Sequence, residues 1–135
     1  MANKKNELLT QTELSLMNLL WELGESTVRQ VRGSMSNAEE IPYTTVAAVI
    51  RLLDKKGFLE SRLVGNTLHY SPAVEKQEYE AKAINQIVEK LFNGAPVALA
   101  TRLIDDQNLS KEELQLVRDE LDRKLGEAQY EDDAK

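Results

Sequence analysis

Residues 41–58 read IPYTTVAAVIRLLDKKGF. Val46, Val49, Ile50 and Leu53 recur at helical spacing, so one side of this stretch is built for a core. At a helical step of about 100° per residue, Thr44, Ala48, Arg51 and Lys55 share a narrow ridge on the opposite side. Thr45 lies on its flank and Tyr43 at its start. Pro42 suits a helix start, where its missing N–H costs nothing. Gly57 suits the helix end, directly after the two lysines that favour it. The ridge carries two hydroxyls and an alanine methyl, which lets a helix approach base edges closely. Threonine can hydrogen-bond a base, and an alanine or threonine methyl can meet a thymine methyl. Arg51, two turns in, suits a guanine or a phosphate, and the helix N-terminus can itself receive a phosphate. The same Thr-Thr pair also serves as a plain helix cap, and a Lys/Arg face as solvated surface. The ridge alone does not decide between these.

Its neighbours add to it. Upstream, Thr10 and Glu13 form a capping box with Leu9 and Leu14 as its staple, and Gly24 ends the helix after Leu23. That first helix is apolar around more than half its circumference, wider than one core requires. It is expected to pack on two sides. A short second helix follows, capped by Ser26 or Thr27 with Gln30 three residues after Thr27. Val28, Val31 and Met35 lie on one face of it, and Arg29 and Arg32 leave on the other. Downstream, two β-prone runs at 58–64 and 67–71 flank Gly65-Asn66, a hairpin signal. Leu63, Leu68 and Tyr70 are expected inward, with Arg62, Thr67 and His69 outward. Pro72 ends the second run. Helix, two short helices and hairpin give a winged helix-turn-helix. The second helix of the pair enters the major groove by its N-terminal part, which points to Tyr43, Thr44, Thr45, Ala48 and Arg51.

Beyond residue 74 the pattern is helical: 74–92, broken by Asn93-Gly94, then 95–104, then a helix to about residue 125. This last helix has a Ser110–Glu113 capping box with Leu109 and Leu114 as staple. Leu114, Val117, Leu121 and Leu125 line one side of it. The fold class is mainly α with a small β-hairpin. The expected organisation is a flexible tail over 1–7, a winged-helix DNA-binding domain over 8–74, a helical dimerisation domain over 75–127 and an acidic, frayed tail over 128–135.

Bulk composition fits this division. The 135 residues carry a net charge of −6, but residues 1–74 hold 8 Lys+Arg and 8 Asp+Glu. Residues 75–135 hold the remaining 9 and 15, and so the whole excess. Local placement, not net charge, decides whether a phosphate backbone can dock. There is no cysteine, which excludes disulfides, thiolate metal sites and thiol nucleophiles. The single histidine, His69, has no carboxylate or second ligand at recognisable spacing, and no Gly-rich phosphate loop occurs. No enzymatic activity, cofactor or metal is expected. No signal peptide or membrane span is legible, so a cytoplasmic protein is expected.

TQTELSLMNLLWELGESTVRQV, PYTTVAAVIRLLDKKGFL, NTLHYSPAV, LFNGAPVALATRL and LSKEELQLVRDEL together resemble the BlaI/MecI/CopY family of bacterial penicillinase-type transcriptional repressors, over about residues 8–125. The resemblance implies a homodimer that binds an operator of dyad symmetry, with the C-terminal helices holding the dimer. Leu114, Val117, Leu121 and Leu125 would then form the dimer contact. Carried over, Tyr43, Thr44, Thr45, Ala48 and Arg51 match the recognition helix. Thr27 and Arg29 match the start of its supporting helix, and Arg62, Asn66 and His69 occupy the wing. Lys55 extends the ridge toward the backbone. The copper-responsive branch of the family has a cysteine-rich metal hook, which this chain lacks. The β-lactam branch is cleaved at an Asn-Phe bond, and no such pair occurs here. A membrane metallopeptidase sensor encoded nearby would favour regulated cleavage, and a neighbouring metal exporter a metal-linked signal. The reading that competes from another class is a winged-helix module for protein–protein assembly that never touches DNA.

Overall fold

The structure is a computed structural model that describes residues 8–38 and 40–134, with side chains through residue 130. The tail expected over 1–7 lies outside the described residues. Eight elements follow one another: α1 (Gln11–Leu23), α2 (Val28–Gly33), α3 (Tyr43–Lys56), β1 (Leu59–Val64), β2 (Thr67–Pro72), α4 (Lys76–Leu91), α5 (Pro96–Asp106) and α6 (Lys111–Ala134). The chain divides into two compact units, Met1–Asn85 and Gln86–Lys135, and the division falls inside α4.

Local chemistry sets the ends of the first helices. Thr10 and Glu13 make a complete capping box at α1, and Thr27 and Gln30 make one at α2. Pro42 caps α3 without a side-chain bond, and Gly57 closes it in the left-handed conformation at φ 94°. Arg32 Nε donates to the Ile41 carbonyl at 3.1 Å, tying the end of α2 to the residue before the α3 cap.

The first three helices and the hairpin share one largely aliphatic core. Leu16, Met17 and Leu20 of α1 meet Val31 of α2, and Val46, Ile50 and Leu53 of α3. Phe58, Leu59 and Tyr70 close it from the hairpin side. The breadth of α1's apolar surface has its explanation here. Its second side is taken by the chain's own α4: the Trp21 ring meets that of Tyr79 at a 38° tilt, centroids 5.9 Å apart, and Trp21 donates Nε1–H to the Val74 carbonyl at 2.8 Å. The Tyr79 hydroxyl accepts from the Leu9 N–H at 3.0 Å. Val74 and Tyr79 thus belong to the core of the first unit. Beneath them Glu13, 3% exposed, accepts from Lys56 Nζ at 2.6 Å. Burial pushes the Glu13 carboxyl pKa up, but Lys56 and the Thr10 N–H outweigh it and hold it below the usual carboxylate value.

The hairpin is an antiparallel pair in the register Leu59↔Pro72, Ser61↔Tyr70 and Leu63↔Leu68. Gly65 takes φ 62°, with Asn66 on the negative side, as the first position of a type II′ turn requires. Leu63 and Leu68 share the face of Tyr70, as the alternation requires, yet both are exposed. The expectation that they are buried is corrected here. The strands run on past the core, so alternation gives the face but not its cover. The sequence also hides a third strand segment. Ser26 bridges Tyr70 with two backbone hydrogen bonds of 2.8 Å, which locks the wing to the α1–α2 turn.

In the second unit, α5 starts with Pro96 at its first turn, and α6 with the Ser110–Glu113 box. α6 continues to Ala134 rather than ending near residue 125. From residue 86 on, Val88 is the one buried side chain among the described residues. Among the described residues no helix is long and apolar enough to cross a membrane.

Candidate nucleic-acid interface

α3 divides cleanly around its axis. Val46, Ile50 and Leu53 are buried, whereas Tyr43, Thr44, Thr45, Ala48, Arg51 and Lys55 are exposed. Lys55 sits in the last turn, where a cation favours the helix end. The ridge read from the sequence is therefore a real surface.

Beside it lies a concavity of about 580 Å³ between α2, α3 and the wing. It gathers Thr27 and Arg29 from α2 and its cap, Tyr43 and Arg51 from α3, and Asn66 from the turn. Five of the expected residues, spread in sequence from position 27 to position 66, thus converge on one hollow. Val28, Ala47, Thr67, Leu68 and Tyr70 complete its lining. Among the described residues two arginines line it and no carboxylate does, so in a chain of net charge −6 this hollow is locally cationic. Thr27 Oγ1 accepts from the Gln30 N–H at 3.1 Å, so its first role is to cap α2. Neither Arg29 nor Arg51 has a carboxylate partner among the described residues.

The two wing residues from the strands stand apart. Arg62 and His69 face one another across the hairpin, on the face opposite Tyr70. Arg62 is held by Glu25 in a bidentate pair of 2.6 and 2.9 Å. The bond to Arg62 holds the Glu25 carboxyl below its ordinary pKa, and Glu25 in turn raises that of Arg62. His69 is half-buried. Among the described residues no group of three His, Asp or Glu side chains is placed to hold a metal.

Sequence reasoning missed Tyr70, Ala47, Thr67 and Leu68. Alternation assigned Tyr70 to the core, where its ring does lie, but strand period says nothing about where a hydroxyl ends. Glu25 carried no signal, because the pair it makes with Arg62 spans 37 residues.

The family model described as penicillinase repressor matches residues 9–123. The methicillin resistance regulatory protein MecI of Staphylococcus aureus (strain N315) is 23% identical over 124 residues, covering 92% of this chain and all of that one. The penicillinase repressor of Bacillus licheniformis is 22% identical over 111 residues, covering 82% of this chain and 87% of its own. Among solved structures, the DNA-binding domain of the repressor BlaI aligns with a TM-score of 0.49 at 24% identity, over 56% of this chain and 93% of that one. The chain belongs to the penicillinase repressor family.

Proposed function

We propose that this chain is a sequence-specific, DNA-binding transcriptional repressor that acts as a homodimer on a dyad-symmetric operator. As a member of a repressor family it is a regulator and not an enzyme. α3 enters the major groove, where Thr44, Thr45 and Ala48 read base edges. Tyr43, Arg51 and Lys55 flank them along the groove, and Thr27, Arg29 and Asn66 hold the backbone beside it. The wing lies on the backbone or minor groove, with Arg62 and His69 on its outer face.

The single observation that carries this reading is the hollow itself. Among the described residues, two arginines without a carboxylate partner and no acid meet there, beside an exposed ridge of small polar side chains. A module that only assembled with proteins would not require a cationic hollow in an acidic chain. The dimer reading is supported by the apolar residues that α6 leaves uncovered, among them Leu114, Leu121 and Leu125. Val117 lies between them, partly covered. A two-fold dimer would set two recognition helices on half-sites about one helical turn or a multiple apart.

Relief of repression through a membrane metallopeptidase sensor encoded nearby would require a bond other than Asn-Phe, since the chain has none. Selection of bound fragments from random DNA tests the main reading. An inverted repeat should emerge, and its affinity should fall steeply with salt as counterions are released. Binding indifferent to salt, or no enriched sequence, would sink it.

A further inference from the structure

We propose that the Tyr70 hydroxyl is a fixed, neutral hydrogen-bond donor to one DNA backbone phosphodiester seated in the hollow between α2, α3 and the wing. The proposal rests on the reading of this hollow as part of the DNA interface.

Tyr70 is 3% exposed, its ring is in the core, and its backbone is doubly bonded to Ser26. Its hydroxyl nevertheless makes no hydrogen bond with any described residue. A buried phenol normally finds a partner. No fully buried side-chain oxygen or nitrogen among the described residues lacks one, so this hydroxyl is not sealed inside the core. Tyr70 itself lines the hollow between α2, α3 and the wing, and its hydroxyl is proposed to lie at that wall. A donor held rigidly with no internal acceptor loses little freedom when an external acceptor arrives.

The surroundings say what that acceptor is. Arg29 and Arg51 line the same hollow and no carboxylate does, which selects an anion. Asp54, whose charge acts on Tyr70, is not among the lining residues. Burial chiefly, with Asp54 added and Arg51 opposing, raises the Tyr70 pKa, so the phenol keeps its proton and remains a donor. A phosphodiester fits better than a small free anion because the hollow adjoins the exposed ridge of α3, along which a backbone can continue.

The test uses the full chain and an operator fragment taken from the selection above. Tyr70→Phe keeps the ring and removes the donor. Binding to operator and to unrelated DNA should weaken alike, about three- to tenfold, with the slope of affinity against salt unchanged. Arg51→Ala should instead make that slope shallower by about one unit. Single methylphosphonate substitutions along the operator should reveal one position where Tyr70→Phe no longer adds a loss. The melting temperature of Tyr70→Phe should match that of the parent.

Unchanged affinity on both DNAs would overturn the proposal, as would a loss confined to the operator or one accompanied by a lowered melting temperature. Thermal protection by inorganic phosphate that Tyr70→Phe abolishes, with DNA binding intact, would assign the hollow to a free anion and equally overturn it. A parent protein that retains no DNA at low salt would sink the repressor reading itself, and this one with it.

Discussion

The two units of the chain handle their apolar residues in opposite ways. The first buries Leu16, Met17, Leu20, Ile50 and Phe58 completely and satisfies even its buried carboxylate, Glu13. The second leaves Leu91, Val97, Leu116, Leu121 and Leu125 each more than half exposed. The first has an interior of its own. The second presents amphipathic helices whose apolar stripes lack a partner, as expected of a surface that a second copy completes.

Four variants would break or sharpen this contrast. The largest effect is expected in the second unit. Replacing Leu121 and Leu125 together by Asp should leave a monomer by analytical ultracentrifugation and lower operator affinity about 10²–10⁴-fold, the avidity of two linked domains. The first unit should unfold at its usual temperature, because its core is built from its own residues. A variant that stays dimeric would place the dimer contact elsewhere.

Next comes Ala48→Glu, at an exposed position on the ridge. A carboxylate there faces the acidic groove, and like-charge juxtaposition costs several kcal/mol. Operator binding should fall by more than about a hundredfold with no change in melting temperature. Normal binding would show that α3 does not enter the groove.

Third is the buried pair. Glu13→Gln keeps a hydrogen-bonding cap but leaves Lys56 unpaired, and should destabilise the first unit by about 1–3 kcal/mol in denaturant unfolding. The pH dependence follows from the lowered Glu13 pKa. The contribution is present above the ordinary carboxylate pKa and fades as pH falls through the depressed folded value. Parent and variant should therefore converge in stability in acid and diverge above about pH 5.

The smallest effect is on the wing. Glu25→Gln frees Arg62 from a solvent-exposed pair and removes a nearby anion, so binding to all DNA should tighten about two- to threefold at low salt. Weaker binding would mean that Glu25 orients the wing rather than competing for Arg62.

The first unit was the more legible of the two, for physical reasons. Capping boxes, the glycine stop of α3 and the Gly-Asn turn are local chemistry, and each lies where its residues placed it. The burial of α3 followed from period alone. What escaped depends on contacts distant in sequence: the Ser26–Tyr70 bridge, the Glu25–Arg62 pair, and the core contact of Tyr79 that carries the first unit beyond the hairpin. Leu63 and Leu68 show the converse limit, since strand period names a face without saying how far the core reaches beneath it. In the candidate interface the ridge was legible because one helix makes it. The hollow was not, because three elements make it.

The clean division of α3 has a consequence for descent. Side chains that hold the fold and side chains proposed to choose the operator share a helix but almost no positions. Substitutions at Thr44, Thr45 or Ala48 can therefore accumulate with little effect on stability. Duplicated copies of such a chain would acquire new target sites without first passing through poorly folded intermediates.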